Sequence, residues 1–112
     1  MKTEHRSLND LPVLVRQILF LNEAYLVGSA CEWFLNKELS NPRDFDVMVE
    51  PDNYMRACQL VSNKSFKINS FGGIKIIEDV PIDIWPMSLS YYIKALRGDV
   101  AIRFNPFKVI RW

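Results

Sequence analysis

"VGSACEWFLNKELSNPRDFDVMVE", residues 27–50, is the stretch whose reading decides the fold. An apolar run ends in Gly28-Ser29, a helix-like stretch follows, and Asp44-Phe45-Asp46 opens the next apolar run. In "DFDVMVE" the residues alternate with period two, the signature of a half-buried strand. Phe45, Val47 and Val49 then face one side, and Asp44, Asp46 and Met48 the other. Two carboxylates on one strand face repel each other, so the pattern calls for a compensating cation.

Upstream, "AYLV" (24–27) reads as a short buried strand. Before it, "SLNDLPVLVRQILFLNE" predicts a helix, capped by Asn9 or Asp10 with Pro12 in its first turn. Its apolar face is Leu11, Leu14, Val15, Ile18 and Leu19. Gly28-Ser29 makes a turn into a helix over Ala30 to Leu39, with Cys31, Phe34 and Leu35 inward, and "SNPR" breaks it.

Downstream, Pro51-Asp52 opens a helix to about Ser62, with Tyr54, Ala57, Cys58 and Val61 apolar. "FKIN" and "IKIIE" are strands joined through Gly72-Gly73, and Glu78-Asp79 turns the chain into "VPIDIW". In that strand Ile82 and Ile84 share one face, and Asp83 and Trp85 the other. Ser88 begins a helix over "SLSYYIKALR" that Gly98 ends, and "VAIRFNPFKVIRW" is β-like around Asn105-Pro106. This order of elements predicts an α+β domain: a mixed β-sheet with helices mainly on one face.

At 112 residues the chain reads as a single domain, 1–112. Apolar residues make up 49% and charged residues 24%, as in an ordinary globular domain, and the net charge of +1 rules out a global basic field. Cys31 and Cys58 lack metal-ligand spacing and read as reduced core residues. The N-terminus has no apolar signal core and no run reaches membrane-spanning length, so the expectation is a cytoplasmic protein with no membrane partner.

If the two acidic strands are neighbours, Asp44, Asp46 and Asp83 converge. Hard oxygen ligands select Mg²⁺ or Mn²⁺, and such ions suit phosphoryl or nucleotidyl transfer. A glycine at a strand-to-helix turn lets a phosphate approach the backbone, and Ser29 adds a hydroxyl donor.

The pieces "LVGSA", "RDFDVMV" and "PIDIW", spread over roughly residues 24 to 86, resemble the DNA polymerase beta-type nucleotidyltransferase superfamily. "FGGIKIIEDVPIDIW" resembles the hairpin that carries the third acid in minimal and tRNA-nucleotidyltransferase-like members. The resemblance implies a nucleotidyltransferase-like fold. It also implies an enzyme that moves an NMP from an NTP, ATP among them, to a hydroxyl of a nucleic acid, small molecule or protein. Asp44 and Asp46 would bind two metals; Asp83 would bind one and help activate the attacking hydroxyl. Gly28 and Ser29 would hold the nucleotide phosphates. Many members carry a basic residue soon after the glycine turn. Here Cys31, Glu32 and Trp33 stand there, and Arg43 or Lys75 would supply the positive charge.

Two other readings use the same residues. One is a non-catalytic binding or antitoxin module of this fold acting with a partner protein; the other is a metal-dependent phosphatase or nuclease. Because the chain is short for a separate acceptor-binding domain, a homodimer or a helical partner protein is expected. Arg97, Arg103, Lys108 and Arg111, interleaved with Phe104, Phe107 and Trp112, suit either nucleic acid or an ordinary amphipathic edge.

Overall fold

A computed structural model describes residues 5–21, 24–68, 73–86, 100–104 and 106–111. A 3₁₀ turn (Leu8–Asp10) leads into α1 (Val13–Leu19), β1 (Ala24–Val27), α2 (Gly28–Phe34), β2 (Phe45–Val49) and α3 (Pro51–Leu60). Strands β3 (Phe66–Ile68), β4 (Ile74–Ile76), β5 (Ile82–Pro86), β6 (Val100–Phe104) and β7 (Phe107–Arg111) follow. The helix expected over "SLSYYIKALR", with Ser88 and Gly98 at its ends, lies outside the described residues.

The strands form one mixed sheet in the order β3-β4-β5-β2-β1-β6-β7. Strand β2 runs parallel to β5, and the other neighbouring pairs are antiparallel. The tail is a hairpin whose first strand pairs with β1, so it builds the sheet. Phe104 consequently faces the core and is unavailable as an exposed aromatic.

The three helices among the described residues lie against one face. Val15, Ile18 and Leu19 of α1, Ala30, Cys31 and Phe34 of α2, and Ala57 of α3 pack on Leu26, Val47, Ile84 and Ile102. Each such large aliphatic, fully buried, contributes ~1.5–3 kcal/mol. The expected alternation in β2 and β5 is therefore observed: Phe45, Val47, Val49, Ile82 and Ile84 point toward the helices. On the opposite face Tyr25, Val27, Met48 and Ala101 form a smaller apolar cluster against Trp85. Burial pushes the Cys31 thiol up to about 12, with Glu32 adding to the effect; both cysteines are free.

Three local expectations are corrected. The first helix is split, because the residue before a proline is driven out of the helical region, and Leu11 is extended at φ −85°, ψ 143°. Neither Asn9 nor Asp10 caps the helix: Ser7 caps the 3₁₀ turn, exchanging hydrogen bonds with Asp10 across it, and α1 starts after Pro12 with no side-chain cap. Helix α2 begins at Gly28 itself and ends at Phe34, well short of Leu39. Asn36 takes a left-handed φ of 60°, and the amides of Asn36 and Lys37 donate to the carbonyls of Trp33 and Glu32. That is a Schellman stop with asparagine in the usual glycine position. The residues before the 3₁₀ turn reinforce it. The Arg6 amide donates to the Phe34 carbonyl at 2.7 Å, its Nε donates to the Trp33 carbonyl at 2.9 Å, and its guanidinium lies 4.5 Å over the Trp33 ring.

Candidate metal and nucleotide site

The site forms where β2 and β5 run side by side. Their parallel register sets Asp46 directly opposite Asp83, and Asp44 immediately precedes β2. One carboxylate oxygen from each of the three acids lies within 4.8 Å of the others. The convergence that depended on neighbouring strands is thus observed.

The three acids have different surroundings. Asp46 accepts a hydrogen bond from the Trp85 indole at 3.1 Å, and a carboxylate oxygen of Asp46 lies 3.1 Å from where a Cβ on residue 28 would stand. Gly28 has φ +70°. The glycine is therefore required twice, by its backbone conformation and by the approach of Asp46. The space freed by the missing Cβ is taken by this carboxylate. Trp85 is committed to Asp46 and to the small apolar cluster.

Asp83 is 3% exposed, and its Oδ1 is buried with no hydrogen-bond partner. Burial raises its pKa above the ordinary carboxylate range. Lys75 opposes that shift, and the neighbouring Asp44 adds to it. Lys75, opposite Asp83 across the antiparallel β4–β5 pair, sets its Nζ 3.4 Å from Asp83 Oδ2 and 3.9 Å from Asp44 Oδ2. The lysine is therefore on the acidic face, as strand phase predicts, and its ammonium offsets part of the carboxylate repulsion.

Ser29, Arg43 and Asp44 share a pocket of about 410 Å³ with Glu38, Ser40 and Asn41. Arg43 is exposed and forms no ion pair with any described residue. Glu38, on the wall of this pocket, accepts from the Ser40 amide at 3.1 Å. Helix α2 has only seven residues, so Arg43 is the cation this pocket offers, beside the carboxylates of Glu38 and Asp44. A larger pocket of about 460 Å³ lies away from the acids, between α1 and the β4–β5 turn, and has mainly apolar walls.

The donor set suits a hard divalent cation. It is three carboxylates with no nitrogen or sulfur, and one buried oxygen lacks a donor. Sequence reasoning identified Asp44, Asp46, Asp83, Gly28, Ser29, Arg43 and Lys75, and all lie in or beside this constellation. It missed the Trp85–Asp46 hydrogen bond. The signal was in the alternation, which puts Trp85 and Asp83 on one face of β5. No protein-family model matches the chain, and no curated protein matches it.

Proposed function

We propose that this chain is a metal-dependent nucleotidyltransferase that moves an NMP from an NTP to a hydroxyl acceptor. The observation that carries the reading is the convergence of Asp44, Asp46 and Asp83 across two adjacent parallel strands, with Asp83 Oδ1 buried and unpaired. The three carboxylates would hold Mg²⁺ or Mn²⁺. When bound, such an ion neutralises phosphate charge and lowers the pKa of an attacking hydroxyl.

The chain's own residues divide the remaining work. Ser29 and Arg43 bind the triphosphate in the adjoining pocket. Lys75, beside Asp44 and Asp83, would contact the phosphates of a nucleotide held at the acids. Trp85 and Gly28 fix the Asp46 carboxylate. Asp83 takes the proton that the acceptor hydroxyl gives up. The acceptor oxygen bonds to the α-phosphorus as the bond to the bridging oxygen of the β-phosphate breaks, and pyrophosphate leaves.

A second reading is supported by the Lys75 ammonium, which already compensates Asp44 and Asp83 without a metal. On that reading the chain is a non-catalytic module of the same fold that works through a partner protein or a second copy.

Calorimetric titration of ATP and the other NTPs, with and without Mg²⁺, separates the two. The enzyme reading expects metal-dependent binding that is lost in the Asp44→Asn/Asp46→Asn double variant. Absence of binding to the wild-type chain with any metal overturns it.

A further inference from the structure

A second concave site lies on the helix side of the sheet, away from the acids. Three separate stretches of chain wall a cavity of about 460 Å³: the start of α1, the turn after α3, and the segment that leads β4 into β5. That volume falls within the ~300–1,000 Å³ typical of small-molecule sites. The apolar walls are aliphatic, from Pro12, Val13, Leu14, Val80 and Ile82. Ile82 belongs to the main core, and Leu14 and Val80 pack against it, so the cavity floor is continuous with the core. Val13 stands at the mouth, 60% exposed.

The charged groups of the wall do not balance. Lys64 and Glu78 pair with each other at 3.5 Å. Asp79, next in sequence, also lines the cavity, is exposed, and forms no ion pair with any described residue. An anionic ligand would meet two carboxylates and a lysine already committed to one of them. A neutral apolar ligand would fill the walls and leave Asp79 unanswered. A cation carried on a hydrocarbon body answers both features.

We infer that this cavity binds a small aliphatic amine in its ammonium form, with the hydrocarbon against Leu14, Val80 and Ile82 and the head at Asp79. The inference does not rest on the transferase reading. Ile82 and Asp83 are consecutive in β5 and face opposite sides of the sheet. The amine therefore lies across the sheet from the acids, and it is a ligand separate from the hydroxyl acceptor.

The test is a titration of hexylammonium, hexanol and hexanoate into the ¹⁵N-labelled chain, read by amide chemical shifts, on wild type, Asp79→Asn and Asp79→Lys. Asp79 is exposed between β4 and β5, so both variants keep the fold. The expected result is saturable shifts centred on Leu14, Val80 and Ile82, with hexylammonium binding tightest and hexanoate weakest. Each methylene added from butyl- to hexylammonium tightens binding ~4-fold where it is fully buried. Asp79→Asn removes the ~2–5-fold advantage of hexylammonium over hexanol, and Asp79→Lys turns the preference to hexanoate. Hexanol or hexanoate binding to wild type as tightly as hexylammonium overturns the inference, as does hexylammonium affinity that ignores Asp79. Absence of shifts at the cavity also overturns it. Shifts confined to Asp44, Asp46 and Asp83 overturn it as well, by assigning the ammonium to the acidic site.

Discussion

Asp83 is the residue at which burial weighs most on a charge. Its carboxylate is buried and its pKa is raised, chiefly by burial, so the folded chain holds this proton more tightly than the unfolded chain does. Between the ordinary carboxylate value and the raised one, the folded state binds more protons, and stability falls as pH rises through that window. Above it the full cost of the buried charge persists. Asp83→Asn is therefore expected to raise the metal-free melting temperature at neutral pH and to flatten its pH dependence over that window, as read by thermal denaturation at a series of pH values. Mg²⁺ should stabilise the wild type, by ~2.7 kcal/mol at a hundred times its Kd, and leave Asp83→Asn nearly unmoved. Lys75 gives the complementary prediction. Its ammonium occupies the neighbourhood a metal would take, 3.4 Å from Asp83. Lys75→Ala is expected to tighten Mn²⁺ binding in the absence of nucleotide and to weaken NTP binding in the same titration series.

At the scale of the element, the acidic strands were legible in the sequence because period-two alternation is a strong local signal. Phe45, Val47, Val49, Ile82 and Ile84 face the helices as that alternation requires. The helix ends were less legible. Leu11-Pro12 interrupts an otherwise continuous apolar periodicity, and the steric effect of a proline on its predecessor outweighed the pattern. Helix α2 stops at a left-handed asparagine, and a stop signal sought in glycine and proline passes over Asn36. The 3.1 Å approach of Asp46 to Gly28 depends on a long-range strand register that no local pattern carries. The same element scale yields a prediction about the helix stop. Asn36→Gly should be neutral or slightly stabilising. Asn36→Val, a β-branched residue forced to φ 60°, should cost ~1–2 kcal/mol in urea denaturation.

At the scale of the whole molecule, one sheet serves two purposes. Its helix-facing side carries the main core, and its other side carries the acids and lysines. The radius of gyration of 13.0 Å matches the ~13 Å expected of a compact domain this size. Because core and site share strands β2 and β5, damage to one reaches the other. Ile84 is fully buried between the acid-bearing Asp83 and the aromatic Trp85 in sequence. Ile84→Ala should cost ~2–5 kcal/mol in denaturant unfolding and also weaken metal binding, because it loosens the strand that aims Asp83. The central claim is that Asp44, Asp46 and Asp83 share a divalent cation. Titration of Mn²⁺ followed by the electron paramagnetic resonance signal of the free ion, with NTP present, tests it most directly. The account predicts that the wild-type chain depletes free Mn²⁺ beyond what NTP alone takes up, and that Asp44→Asn/Asp46→Asn and Asp83→Asn each abolish that excess. A wild-type curve that coincides with the one for NTP alone would contradict it.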